Sequence, residues 1–205
     1  DLCHVSIRHP NKQTIYRWMY DVNEEFKFGY DTFFLAVELL DRLPPSNFSL
    51  TLDNLQLAAC TALYVSSKMY EINYAVVDDY VCVSDSCFTR EEMLYHEHLL
   101  LNSVQFDLAV PTLYTWALLY GRFKNQEFMD LVKYLLLELL MVKLFDKVHS
   151  TQMRCITVLE VARLIWTCSY PSPNGHNDRL IVHKFVHHLS ICNDPDFVKL
   201  EHQFW

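Results

Sequence analysis

Between Asp53 and Met69 apolar residues occupy nearly every side of a helical wheel: Leu55, Leu57, Ala58, Ala59, Cys60, Ala62, Leu63 and Val65. A helix without a polar face is stable in water only when other helices surround it. The chain is therefore expected to wrap its remaining segments around this one. Composition agrees, since 51% of the 205 residues are hydrophobic and there are only 3 Gly and 7 Pro. That disfavours a disordered chain and a turn-rich β fold. The length suits one domain or two compact ones of about 100 residues each.

The flanking segments supply the wrapping. Ile15, Trp18, Met19, Val22 and Phe26 recur at helical spacing across 11–28, with Gly29 as the expected stop. A second helix is expected from Asp31, as N-cap, to Pro44-Pro45. The buried helix follows, then a short helix around Tyr74–Cys82. A fifth opens at Thr89, whose spacing to Glu92 is that of a capping box. Five helices are thus complete by about Asp107.

The plan then recurs. Pro111 is followed by ALLYGRF, by FMDLVKYLLLELLMVKLF and by CITVLEVARLIW at 155–166, an apolar helix about 100 residues after the first. Glu38 and Glu138 share that offset, and LYHEH (94–98) has a looser echo in VKLEH (198–202). SYPSPNGHND (169–178) reads as a loop, and Asp194-Pro195 as an N-cap with Pro at the first helical position. The expectation is an all-α protein of two tandem five-helix domains, 1–109 and 110–205, each around a buried central helix.

Several function classes are disfavoured. The formal net charge is −8 and no basic block is present, so nucleic acid is an unsuitable principal partner. The longest apolar stretch, Tyr134 to Phe145, is interrupted by Glu138 and Lys143 and is too short for a bilayer. Seven cysteines without framework spacing, among them Cys60, Cys155 and Cys168, read as reduced buried thiols in a nuclear or cytoplasmic protein. His183, His187, His188 and Cys192 form the densest metal-like cluster, but no CxxC accompanies them, and the same judgement covers Cys82 and Cys87. Three glycines leave little for phosphate loops, and no nucleophile sits on a glycine-framed turn. The expectation is no metal, no cofactor and no catalytic residue.

What stands out is charge in apolar surroundings. Lys68 ends the buried helix, and Glu97 lies among Leu94, Leu99, Leu100 and Leu101. Buried charges are costly unless paired or used. Pairing with each other is one reading and use at an interface the other.

Three stretches resemble the cyclin box. WMYDVNEEFKFGYDTFFLAVELLDR from Trp18 is similar to its opening, LQLAACTALYVSSKMYEI to its central helix, and FTREEMLYHEHLLLNSVQFDLAVPT to its fifth helix and exit. The likeness is densest over about the first 115 residues and has the flavour of mitotic A- and B-type cyclins, while the second half matches in helix pattern only. It implies a regulatory subunit that binds and activates a cyclin-dependent Ser/Thr kinase by pressing on the kinase's C helix. Lys68 and Glu97 match the residues that grip the kinase, and Leu101, Phe106 and Leu108 match the apolar floor beside them.

A second family site docks substrates or inhibitors bearing an Arg-x-Leu motif. Ile15, Trp18, Leu55 and Gln56 match it, with Asp21 where the arginine is received. Asn11, Arg17 and Leu52 depart from the family's Met, Asp and basic residue. Packing of the first helix on the third accounts equally for Ile15, Trp18 and Leu55. The alternative from another class is a factor of the transcription factor IIB type, which shares the fold but calls for a basic surface. Only ten residues precede Asn11, where the family has a further helix, so the expectation is either a fragment or a minimal member.

Overall fold

The computed structural model describes residues 12–43, 52–121, 126–140 and 151–169. Those residues form eight α-helices and no strand: α1 (Lys12–Glu25), α2 (Tyr30–Asp41), α3 (Leu52–Tyr70), α4 (Val77–Val83), α5 (Arg90–Ser103), α6 (Leu113–Gly121), α7 (Gln126–Leu140) and α8 (Thr151–Ser169). The all-helical expectation holds for them. The histidine cluster at 183–192, the turn at Pro44-Pro45 and the segments at 170–178 and 194–202 lie outside the described residues.

Helix α3 is the buried rod its sequence implies. An unbroken run from Leu57 to Leu63 is buried, followed by Val65, Ser66 and Ser67. It packs against α1, α2, α4 and α5. Each fully buried Leu in such a run contributes roughly 1.5–3 kcal/mol. The near-complete burial of α2 was not anticipated: Thr32 to Val37, Leu39 and Leu40 are all inaccessible. The cause is a neighbour from later in the chain. Besides α1 and α3, α2 also meets α6, where Phe34 stacks on Tyr114 at 5.8 Å and Tyr30 lies 5.5 Å from the same ring.

Helix ends depart most from the sequence expectation. Gly29 does not stop α1; with φ −72° and ψ 164° it is the N-cap of α2, in place of Asp31. The stop is Lys27, at φ 58°. Its N–H reaches Glu24 O and the Phe28 N–H reaches Asn23 O, the paired bonds of a Schellman motif. The same pair closes α4, with Asp85 at φ 55°, and α5, with Gln105 at φ 55°. Three helices thus end on left-handed residues that are not glycine. Asp31 instead sits in the first turn of α2, where burial raises its carboxyl pKa and nearby Glu71 raises it further.

At α5 the capping box forms as expected: Thr89 N–H donates to Glu92 Oε2 at 2.7 Å, and Glu92 N–H to Thr89 Oγ1 at 3.2 Å. Helix α4 begins at Val77, later than the expected Tyr74, and Tyr74 and Val76 are exposed in the segment before it. In the second half, α8 buries Cys155, Thr157, Val158, Ala162 and Leu164, while Arg163 is exposed. Its described side chains therefore do not match the all-round burial of α3. The passage between halves is capped by buried Thr112, whose Oγ1 accepts the Thr115 N–H at 3.2 Å.

Candidate functional site

Side chains rotate outward as α3 ends. Ser67 is buried, Lys68 turns to solvent, and Met69 and Tyr70 are 47% and 45% exposed. A lysine in the last turn is also favoured by the negative end of the helix dipole. On α5, Glu97 is four residues after buried Met93 and three before buried Leu100, so it lies on the face turned to α3.

These placements bring Lys68 Nζ into direct contact with Glu97 Oε1. Their side chains remain 31% and 16% exposed, so the pair stands at the edge of the core and not inside it. The expectation of charges buried among leucines is corrected accordingly: the last three residues of α3, from Lys68 to Tyr70, turn their side chains out of the core. Pairing with each other, one of the two readings, is realised. The ammonium also lies over the Tyr64 ring, 4.1 Å from its centroid.

The exit of α5 forms the adjoining surface. Its Schellman closure ties the Phe106 N–H to Leu101 O at 2.9 Å, bringing these two residues together despite five positions of separation. Phe106 is 62% exposed, while Leu101 and Leu108 are half-buried against the core. Arg42, at the end of α2, fastens this loop by donating to Asp107 O at 2.8 Å and Asp107 Oδ2 at 3.1 Å. Arg42 and Tyr64 were not singled out by sequence; the i, i+4 spacing of Tyr64 and Lys68 was the available signal.

The second candidate patch is differently built. Ile15 and Trp18 on α1 are half-buried against the core, Gln56 is half-buried and Asp21 is exposed. Leu55 is only 3% exposed and thus lies beneath this face. Helix α1 packs on α3 here. Lys12 and Asp41 pair at 3.0 Å, joining α1 to the end of α2.

Among the described residues, no three His, Cys, Asp or Glu side chains are grouped to hold a metal ion. Cys82 and Cys87 are exposed free thiols; Cys60 and Cys155 are buried, and burial pushes the Cys155 thiol up to about 12. No described helix is long and apolar enough to cross a membrane.

Comparison with known proteins matches this architecture. The family model for the cyclin N-terminal domain covers residues 2–109. Curated relatives include A- and B-type cyclins. Cyclin-A1 of Homo sapiens is 40% identical over 105 residues, which are 51% of this chain and 22% of that protein. The chain spans less than a third of the length of these relatives. Among solved structures, a viral cyclin from herpesvirus saimiri superposes with a TM-score of 0.63 at 16% identity, over 91% of this chain and 79% of that one. A chain of the yeast RNA Pol II CTD kinase CTDK-1 complex gives 0.60 at 15% identity, over 76% of this chain and 55% of that one. With the family model matching more than half of its residues and the helical fold superposing on a solved cyclin, the chain belongs to the cyclin family.

Proposed function

We propose that this chain is a regulatory subunit that binds and activates a cyclin-dependent Ser/Thr kinase, with ATP and the catalytic residues held by the kinase. The observation that carries this reading is the Lys68–Glu97 pair beside exposed Phe106 and half-buried Leu101 and Leu108. An oriented charge pair supplies direction and selectivity to an interface, and the apolar neighbours supply area. An ammonium has three donors, so Lys68 can keep Glu97 and still donate to a partner's main-chain carbonyl. The solved relative in the CTDK-1 kinase complex supports the same class of partner. The net charge of −8 weighs against the transcription-factor alternative.

The proposal extends to organisation and place. The two domains divide at 109/110, near the Thr112 cap, each built on five helices, and the protein works in the nucleus or cytoplasm. Ile15, Trp18, Asp21 and Gln56, over buried Leu55, form a docking face for Arg-x-Leu peptides, with Asp21 taking the arginine.

The test is phosphorylation of a Ser/Thr-Pro peptide by purified cyclin-dependent kinases, with and without this protein. A large rise in rate with one kinase, lost in Lys68→Ala/Glu97→Ala while the helical fold persists, is expected. Absence of binding and activation with every kinase tried refutes the proposal.

A further inference from the structure

We infer that Tyr64 is a positioning residue for the partner-binding charge pair, holding the Lys68 ammonium against Glu97 before any partner arrives. The inference rests on the kinase-binding reading of that pair. Lysine on a helix end is a flexible four-carbon stem whose head ordinarily samples many positions. Here the head is bounded on two sides, by the Glu97 carboxylate and by the Tyr64 ring face 4.1 Å away. A ring face carries the negative part of the aromatic quadrupole, so it attracts the cation and limits its swing.

The ring is itself held. Tyr64 is half-buried and meets Tyr80 edge to face, at 5.7 Å and 69°. Tyr80 is inaccessible, donates to Ser67 Oγ at 3.3 Å and meets Phe26 at 5.1 Å in another edge contact. The aromatic set fixes Tyr64 from α4 and the end of α1, and Tyr64 one turn before Lys68 fixes the ammonium from within α3. A head group already restrained loses less freedom on binding, which strengthens association without adding a contact.

An apolar side chain without a π face is expected to weaken kinase binding roughly three- to ten-fold. The experiment compares the full chain with Tyr64→Phe, Tyr64→Leu and Tyr64→Met, and with Lys68→Ala as reference. Kinase affinity is measured by calorimetry and the Lys68 ε-methylene proton shift by NMR. Expected results are parental affinity and an upfield, ring-shielded Lys68 signal in Tyr64→Phe. Weaker binding and an unshielded signal are expected in the Leu variant, or in the Met variant should Leu not fold. A packing role would move stability alone, so folded Leu or Met variants with parental affinity overturn the inference. Parental affinity in Lys68→Ala overturns the kinase-site reading and the inference with it, whatever the NMR signal shows. Weakened Lys68→Ala alongside unweakened Leu overturns the Tyr64 role alone.

Discussion

Removing the carboxylate of Asp41 should damage the fold far more than removing its lysine partner. Lys12 and Asp41 approach to 3.0 Å with side chains only 5% and 13% exposed, and Tyr16 Oη donates to the same carboxylate. Asp41→Ala therefore strips both a buried ammonium and a buried phenol of their shared acceptor. Breaking a buried pair from one side costs about 3–5 kcal/mol, and losing a single hydroxyl hydrogen bond about 0.5–1.5 kcal/mol. The two are not additive here, since the Tyr16 ring, 5.3 Å from Nζ, continues to face the ammonium. A loss of about 3 kcal/mol is expected, a substantial part of the roughly 5–15 kcal/mol available to a domain. In Lys12→Met the better exposed Asp41 remains with its Tyr16 donor, and a neutral chain of similar length replaces the ammonium. About 1 kcal/mol is expected there. Urea unfolding followed by far-ultraviolet circular dichroism reads both losses, with an unchanged slope confirming that the folded state is retained. A cost for Asp41→Ala under about 1 kcal/mol, or no greater than for Lys12→Met, refutes the argument that the ammonium depends on this carboxylate.

The left-handed closure of α5 predicts that Gln105→Gly stabilises by about 0.5–1 kcal/mol and that Gln105→Val destabilises by more than 1 kcal/mol, because a β-branched side chain tolerates φ 55° poorly; equal urea midpoints for the two refute it. Stability should be fully present below about pH 9 and fall above it. Burial pushes Cys155 up to about 12 from 9.0 and Tyr20 up to about 12 from 10.0, so the folded chain retains protons that the unfolded chain releases. A urea midpoint above pH 10 equal to the neutral one contradicts this, and Cys155→Ala should lessen the fall. Trp18→Ala should abolish binding of an Arg-x-Leu peptide measured by fluorescence anisotropy while kinase activation persists; undiminished binding shows the α1 face to be packing only.

The readable parts of this fold are those in which one local pattern determines the outcome. Apolar residues on every side of α3 require burial, and Thr89 with Glu92 closes its own capping box without tertiary help. Features that depend on distant neighbours were not readable. The second buried face of α2 exists because Tyr114 arrives from α6. Its N-terminus is served by Glu71 from across the fold, which accepts the Gly29 N–H at 2.8 Å and the Thr32 hydroxyl. Lys27, Asp85 and Gln105 give no glycine or asparagine signal, so the ends of α1, α4 and α5 are set by hydrogen bonding and packing against left-handed preference. At the candidate site, Lys68 and Glu97 were legible as a pair, whereas the Arg42 clamp and the Tyr64 platform required three-dimensional proximity.

The partial exposure of that pair changes what mutation can reveal. Truncating one side of a fully buried ion pair confounds the two effects, because the remaining charge destabilises its surroundings by about 3–5 kcal/mol and a loss of binding can follow from that alone. Lys68 and Glu97, at 31% and 16% exposure, belong nearer the surface regime, where a pair contributes about 0–1 kcal/mol. Their double truncation should therefore leave folding nearly intact, so a loss of kinase binding reports on the interface. The Lys12–Asp41 pair, on the same α1–α2–α3 core but enclosed, is the natural contrast: there the fold itself should weaken. Cooperative unfolding with a near-parental midpoint in Lys68→Ala/Glu97→Ala, together with lost binding, separates recognition from stability. A midpoint that falls as far as that of Asp41→Ala would show that the pair serves the fold.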